Sequence, residues 1–168
     1  AFCGIFDPDA VSVMQAAGVG NEVRLSLGGK LAMPVLQRHS HPLELTGRVK
    51  LISEGRFPTT IAMGRGLITD MGTTGVLSVG AVDTMVISRH FEPVDPGCFR
   101  AVGIEPTEQR FLMLKSRIHY RVGFRDLVRE VVECAGLGVC TSDYSEITFD
   151  NVRRPIYPLD NVATRQSV

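Results

Sequence analysis

A single mixed α/β domain, with strand–helix–strand segments at its ends and a central antiparallel β meander, is the fold this sequence predicts. Three observations lead there. The chain has 168 residues, 44% hydrophobic and 21% charged, the size and composition of one globular domain. Apolar residues recur at helical spacing near both ends. Between those ends, short runs of β-formers are broken by glycines and keep no helical period.

The opening run Phe2–Phe6 reads as a buried strand. Asp7-Pro8 supplies an N-cap with proline at the first helical position, Ala10, Val11, Met14 and Ala17 keep helical spacing, and Gly18 provides the stop. Val23, Leu25 and Leu27 then alternate with Glu22, Arg24 and Ser26, the pattern of a half-exposed strand. Together they predict a βαβ-like opening. From Leu43 to Ser88 the runs Leu43–Ile52, Gly66–Ile68, Val76–Val79 and Met85–Ser88 predict the meander.

Asp95-Pro96 opens a second short helix that stops at Gly103. Phe111-Leu112-Met113-Leu114 reads as a strand buried on both faces. Ser116 is placed to cap a helix carrying Phe124, Leu127, Val128 and Val131 at i, i+3, i+4 and i+7. Val131, Val132 and Cys134 suggest a further strand, and Ile147–Phe149 a last one. The proline-rich tail Arg153–Pro158 does not suit a central strand.

Charge and composition exclude several function classes. Lys+Arg and Asp+Glu both number 18, so the surplus of cations that a nucleic-acid binder needs is absent. No run of 18 apolar residues exists to span a membrane. Residues Ala1–Phe6 lack a basic lead and a long apolar core, which reads as no signal peptide. The cysteines Cys3, Cys98, Cys134 and Cys140 form no C-x-x-C pair, so they are expected to be reduced and structural, with the cytoplasm as the compartment.

The strongest chemical signal is Lys115-Ser116-Arg117-Ile118-His119-Tyr120-Arg121, where the predicted buried strand hands over to the predicted helix. Open α/β sheets place ligands at such junctions, and a helix start favours an anion. Lys115, Arg117, His119 and Arg121 add donors. Basic residues at a helix start ask for a negative partner, either a ligand or an acidic side chain. The plain alternative is a solvated helix start. Gly28-Gly29-Lys30 after a strand is the second signal: a glycine pair lets backbone approach an anion closely, although a simple turn explains it as well.

Weaker motifs fall away. No P-loop pattern is present, and Gly18-Val19-Gly20 follows a helix, unlike a dinucleotide fingerprint. His39 and His41 offer two imidazoles with no third ligand nearby, a poor zinc site. His90 has no evident partner, and no G-x-S-x-G elbow occurs. The chain carries no self-sufficient catalytic constellation in sequence.

These pieces, in order, resemble the C-terminal domain of the MlrC family of metallopeptidases, a family named for a microcystin-degrading member. The resemblance rests on Asp7-Pro8-x-Ala10-Val11, Ala17-Gly18-Val19-Gly20, Leu27-Gly28-Gly29-Lys30 and Met71-Gly72. It continues through Gly103-Ile104-x-Pro106, Lys115-Ser116-x-x-His119-Tyr120-Arg121 and Arg154-Pro155-x-Tyr157-Pro158-Leu159-Asp160. It implies a longer, zinc-dependent hydrolase of small peptides or related amides, with zinc held by His, Asp and Glu ligands of an N-terminal domain outside this segment. On that implication Lys115, Ser116, His119 and Arg121 face the interdomain cleft and hold a substrate carboxylate or a developing oxyanion. The partners are then the N-terminal domain of the same polypeptide and a small peptide or carboxylate substrate, with a homo-oligomer also open. Two other readings stay open: a non-catalytic module binding an anionic metabolite, and a structural or oligomerisation domain whose basic cluster pairs with acidic side chains.

Overall fold

Strand β1 (Phe2–Phe6) ends at Asp7, whose backbone N–H donates to Ile87 O and whose carboxylate caps the next element. The computed structural model describes residues 1–36, 40–136, 138, 140–141 and 143–161. Helix α1 (Pro8–Ala17) begins where the Ala10 N–H donates to Asp7 Oδ1 at 3.0 Å. It buries Ala10, Val11 and Met14 and stops at Gly18, as the sequence predicts.

Strands β2 (Glu22–Leu27), β3 (Leu43–Ser53), β6 (Thr74–Val79), β7 (Val82–Ile87) and β8 (Met113–Leu114) join β1 in one six-stranded sheet of order β2-β3-β6-β7-β1-β8. The strands β2-β3-β6-β7 pair antiparallel, and β7, β1 and β8 run parallel. The expected meander is therefore present as β3-β6-β7. The short strands β4 (Arg56–Pro58) and β5 (Ile68–Asp70) leave it to form a ribbon of their own. The βαβ-like opening is corrected: three strands separate β1 from β2, and β2 pairs with β3.

Strand β3 explains that arrangement. Its first half pairs with β2 and its second half with β6. At the changeover stands Gly47, where a Cβ would come 2.7 Å from Ser78 O. The β2–β3 ribbon can thus cross close over the end of β6, and Val23, Leu25 and Leu27 join Ala10, Val11 and Met14 in one apolar cluster with Val49, Leu77 and Val86.

The opposite face of the central strands is buried too. Val76, Met85 and Ile87 point into a second cluster with Phe99, Val102, Ile104, Tyr120 and Phe124. Neighbouring residues of β6 and β7 alternate between the two clusters, as the pleat requires. Helix α2 (Gly97–Arg100) starts behind Asp95-Pro96 as expected, and its chain turns to Gly103. Asp95 is buried and accepts N–H groups from Gly97 (2.7 Å), Thr60 (2.6 Å) and Ile61 (3.2 Å), which ties the β4–β5 ribbon to α2.

The last third departs most from expectation. Of the run Phe111–Leu114 only Met113 and Leu114 pair, as the sheet edge, and Phe111 and Met113 are 73% and 59% exposed. The helix expected from Ser116 to Val131 shrinks to α3 (Arg121–Phe124) and one 3-10 turn, Arg125–Leu127. Only Phe124 of its apolar stripe is fully buried, and Val131 is exposed. Residues 131–134 and 147–149 form no strand.

The chain divides into two compact units, Ala1–Lys30 with His41–Val132, and Leu31–Ser40 with Glu133–Val168. The first holds every helix and strand described above. The second is built from 3-10 turns at Pro34–Leu36 and Tyr144–Glu146, the latter capped by Asp143, with an ion pair between Arg154 and Asp160. Its peptide bonds before Pro155 and Pro158 are cis. Among the described residues no helix is long and apolar enough to cross a membrane.

Candidate functional site

The parallel strands β7 and β1 end together at Ile87 and Phe6, β8 ends opposite Cys3, and the chain leaves all three through residues that carry chemistry. Carboxyl ends of parallel strands are where open α/β sheets gather ligands. β1 runs into Asp7, β7 into Ser88-Arg89-His90-Phe91-Glu92, and β8 into Lys115-Ser116. The Phe6 ring stacks on His90 with centroids 3.7 Å apart and planes at 21°.

Glu92 is the organiser of this edge. Its Oε1 accepts the Ser116 hydroxyl at 2.6 Å, and its Oε2 lies 3.0 Å from His119 Nδ1. Ser116 Oγ accepts in turn the Tyr120 N–H at 3.1 Å, and the Tyr120 ring is anchored in the core. The segment from Ser116 to Tyr120 is therefore held at both ends, with His119 between. Burial pushes the Glu92 carboxyl up, but the hydrogen bonds from Ser116 and His119 outweigh it and hold the group below the usual carboxylate range. An ionised carboxylate only accepts, so Nδ1 of His119 carries the proton.

Glu92 sits in the middle of this trio, bonded to both others. A serine nucleophile activated by histidine would need Ser116 bonded to His119 instead. The arrangement orients an imidazole and fixes a loop; it is no Ser–His pair. The side chains of His119 and Glu92 remain 52% and 41% exposed, so the imidazole is reachable. Lys115 is exposed beside them, and among the described residues no side chain pairs with it. Arg121 lies over the Tyr120 ring at 5.8 Å.

The second expected group is organised by another carboxylate. Gly28 N–H donates to Asp7 Oδ2 at 2.8 Å, and Lys30 Nζ reaches Asp7 Oδ1 at 2.8 Å. Asp7 is buried, which raises its carboxyl. Lys30 and the N–H groups of Ala10 and Gly28 more than reverse that and lower it. Gly29 has φ +64, and a Cβ there would come 2.5 Å from His41 O. The glycine pair thus serves a close approach of backbone to backbone, and the anion at Gly28 and Lys30 is the chain's own Asp7.

Of the residues singled out from sequence, Ser116 and His119 meet on Glu92, Gly28 and Lys30 meet on Asp7, and Lys115 and Arg121 flank the first group. Sequence reasoning missed Glu92, 24 residues before Ser116. The available signal was its place just behind the last β-former run of the meander. Cys3 and Cys98 are buried with their sulfurs 3.6 Å apart, and burial pushes the Cys3 thiol up. Cys134, expected inside an apolar strand, is exposed, as is Cys140. His41 is exposed, and His39 lies outside the described residues.

Among the described residues no group of three or more His, Cys, Asp or Glu side chains is placed to hold a metal ion. The donor sets at Asp7 and Glu92 are already closed by lysine, serine, histidine and backbone N–H groups. The described residues therefore offer no site that fits a resident metal.

Comparison with known proteins covers nearly the whole chain. The family model described as MlrC C-terminus matches residues 1–151. Microcystinase C from Sphingomonas sp. is 29% identical over 159 residues, which is 94% of this chain and 29% of that protein. A solved structure from Mesorhizobium sp. BNC1, described as a candidate metallopeptidase, superposes with a TM-score of 0.80 at 28% identity, over 97% of this chain and 32% of that one. The chain thus spans about a third of the length of the relatives it matches. Order of motifs, fold and match over residues 1–151 agree: the chain belongs to the MlrC C-terminus family.

Proposed function

We propose that this chain is the C-terminal domain of a metal-dependent hydrolase that acts on small peptides or related amides. The metal, zinc by resemblance, is held by residues outside the chain. In this reading the edge where β7, β1 and β8 end lines the cleft between this domain and the rest of the polypeptide. Lys115 and Arg121 hold a substrate carboxylate there, while Ser116 and His119 are kept in place by Glu92.

The observation that carries the reading is the Glu92–Ser116–His119 trio beside Lys115, at the carboxyl ends of parallel strands, in a chain of this family. The same segment exposes Phe111, Met113, Ile118 and Val122. Apolar side chains gathered in one exposed stretch suit a face that another part of the polypeptide covers.

One observation favours a bracing role instead: His119 already has an acidic partner, as a purely structural domain requires. Kinetics of the intact protein separate the two. Lys115→Ala and Arg121→Ala raise KM about tenfold, the effect of losing about 1.4 kcal/mol, for peptides with a free carboxylate. Amidated peptides are unaffected. Unchanged kinetics for both substrates in both variants favours bracing.

A further inference from the structure

A histidine whose Nδ1–H is bound by an ionised carboxylate presents a bare Nε2 lone pair. His119 has this arrangement with Glu92, and no described side chain takes its Nε2. The other described histidines do not share it: His90 is stacked on Phe6, and neither His90 nor His41 has a carboxylate partner among the described residues. Three contacts limit the freedom of the His119 ring. Ser116 fixes the other oxygen of Glu92, Tyr120 N–H is tied to Ser116 Oγ, and the Tyr120 ring is buried. An imidazole so held keeps one tautomer and one orientation, and its side chain is 52% exposed.

We propose that His119 is the proton shuttle of the hydrolysis, with Glu92 as its positioning residue. This rests on the hydrolase reading above and deepens it. Amide hydrolysis joins the oxygen of water to the carbonyl carbon, breaks the C–N bond and needs one proton on the departing nitrogen. His119 Nε2 takes that proton from the attacking water, and the imidazolium is stabilised by the Glu92 carboxylate. The same Nε2–H then protonates the departing amine as the C–N bond breaks. The products are a carboxylic acid and an amine, and His119 returns to its neutral state. Proton transfer by a placed side chain contributes about 10²- to 10⁴-fold, so the loss on removing it is large enough to measure.

The test uses the intact protein and two substrates with one acyl group, an alkyl amide and a p-nitrophenyl ester, whose leaving group departs without a proton. For His119→Gln the expected kcat/KM falls on both substrates through the lost base, and at least about tenfold further on the amide, which also loses the proton for its departing nitrogen. Glu92→Gln shows the same selectivity with a smaller loss. The side chains are exposed, so both variants are expected to keep the unfolding midpoint and metal content of the parent. Equal losses on amide and ester, or no loss on either, overturn the shuttle while the hydrolase reading stands. An intact protein that hydrolyses neither substrate overturns both.

Discussion

Ser116 and His119 are joined through one carboxylate: Glu92 takes the Ser116 hydroxyl on Oε1 at 2.6 Å and faces His119 Nδ1 with Oε2 at 3.0 Å. Asp7 plays the parallel part for Gly28 and Lys30, but it is buried where Glu92 is exposed. That difference in burial sets a carboxylate that solvent can reach apart from one built into the interior.

The two carboxylates should respond differently to removal. Glu92→Gln gives up an exposed pair and costs about 1 kcal/mol or less. Asp7→Ala removes the cap of α1, strands Lys30 and leaves the Gly28 N–H without its acceptor, a loss of about 2–4 kcal/mol. Urea unfolding of both variants measures the contrast. Equal losses would mean that the burial of Asp7 carries no energetic weight.

Acid should weaken the fold through Asp7 and Asp95. Burial raises each carboxyl, but hydrogen bonds, from Lys30 and backbone N–H groups at Asp7 and from the N–H groups of Gly97, Thr60 and Ile61 at Asp95, bring both below the ordinary value. Their folded-state values therefore lie under their unfolded ones. The stability they contribute is complete above the unfolded value, about pH 4, and is lost as pH falls through the folded value. Unfolding midpoints measured from pH 7 down to pH 2 should drop below about pH 4, with a shallower drop in Asp7→Asn. A flat profile contradicts the assignment.

Gly29→Ala tests the backbone approach at the Gly28–Lys30 turn. The φ of +64 disfavours any side chain, and the new Cβ would lie 2.5 Å from His41 O. The expected cost is above about 2 kcal/mol, combining left-handed strain with the clash. Gly80→Ala at the β6–β7 turn has φ +57 but no atom within 4 Å, and should cost about 1 kcal/mol from strain alone. Comparable costs would remove the clash from the explanation.

Phe124→Ala and Val131→Ser distinguish the observed last third from the long helix that the spacing suggests. Phe124 is 1% exposed and packs edge-on against Phe99, so truncation costs about 3–5 kcal/mol. Val131 is 48% exposed, and its change should stay within about 0.5 kcal/mol. A large loss at Val131 would restore the longer helix.

The first half of the chain was legible because its signals are local. Asp7-Pro8, the spacing of Ala10, Val11 and Met14, and Gly18 each act within a few residues, and α1 follows them. The alternation in β2 named the strand but not its neighbour, because β3 divides itself between two partners. The helix after Ser116 failed for a physical reason. Ser116 Oγ does accept the Tyr120 N–H, but the turn tightens to 3-10 form after Phe124, and Val128 is already extended. The β-branched Val122, Val128, Val131 and Val132 lend such a helix little intrinsic support. The partner of Ser116 and His119 was not legible because Glu92 lies 24 residues before Ser116, too far back for a local pattern to announce it.

This domain is proposed to serve a metal-dependent hydrolase of small peptides. The direct measurement is hydrolysis of linear peptides by the intact protein before and after removal of metal by a chelator. Activity that disappears on chelation and returns with added zinc is the predicted result. Hydrolysis indifferent to chelation, or none by the metal-loaded protein, would contradict it.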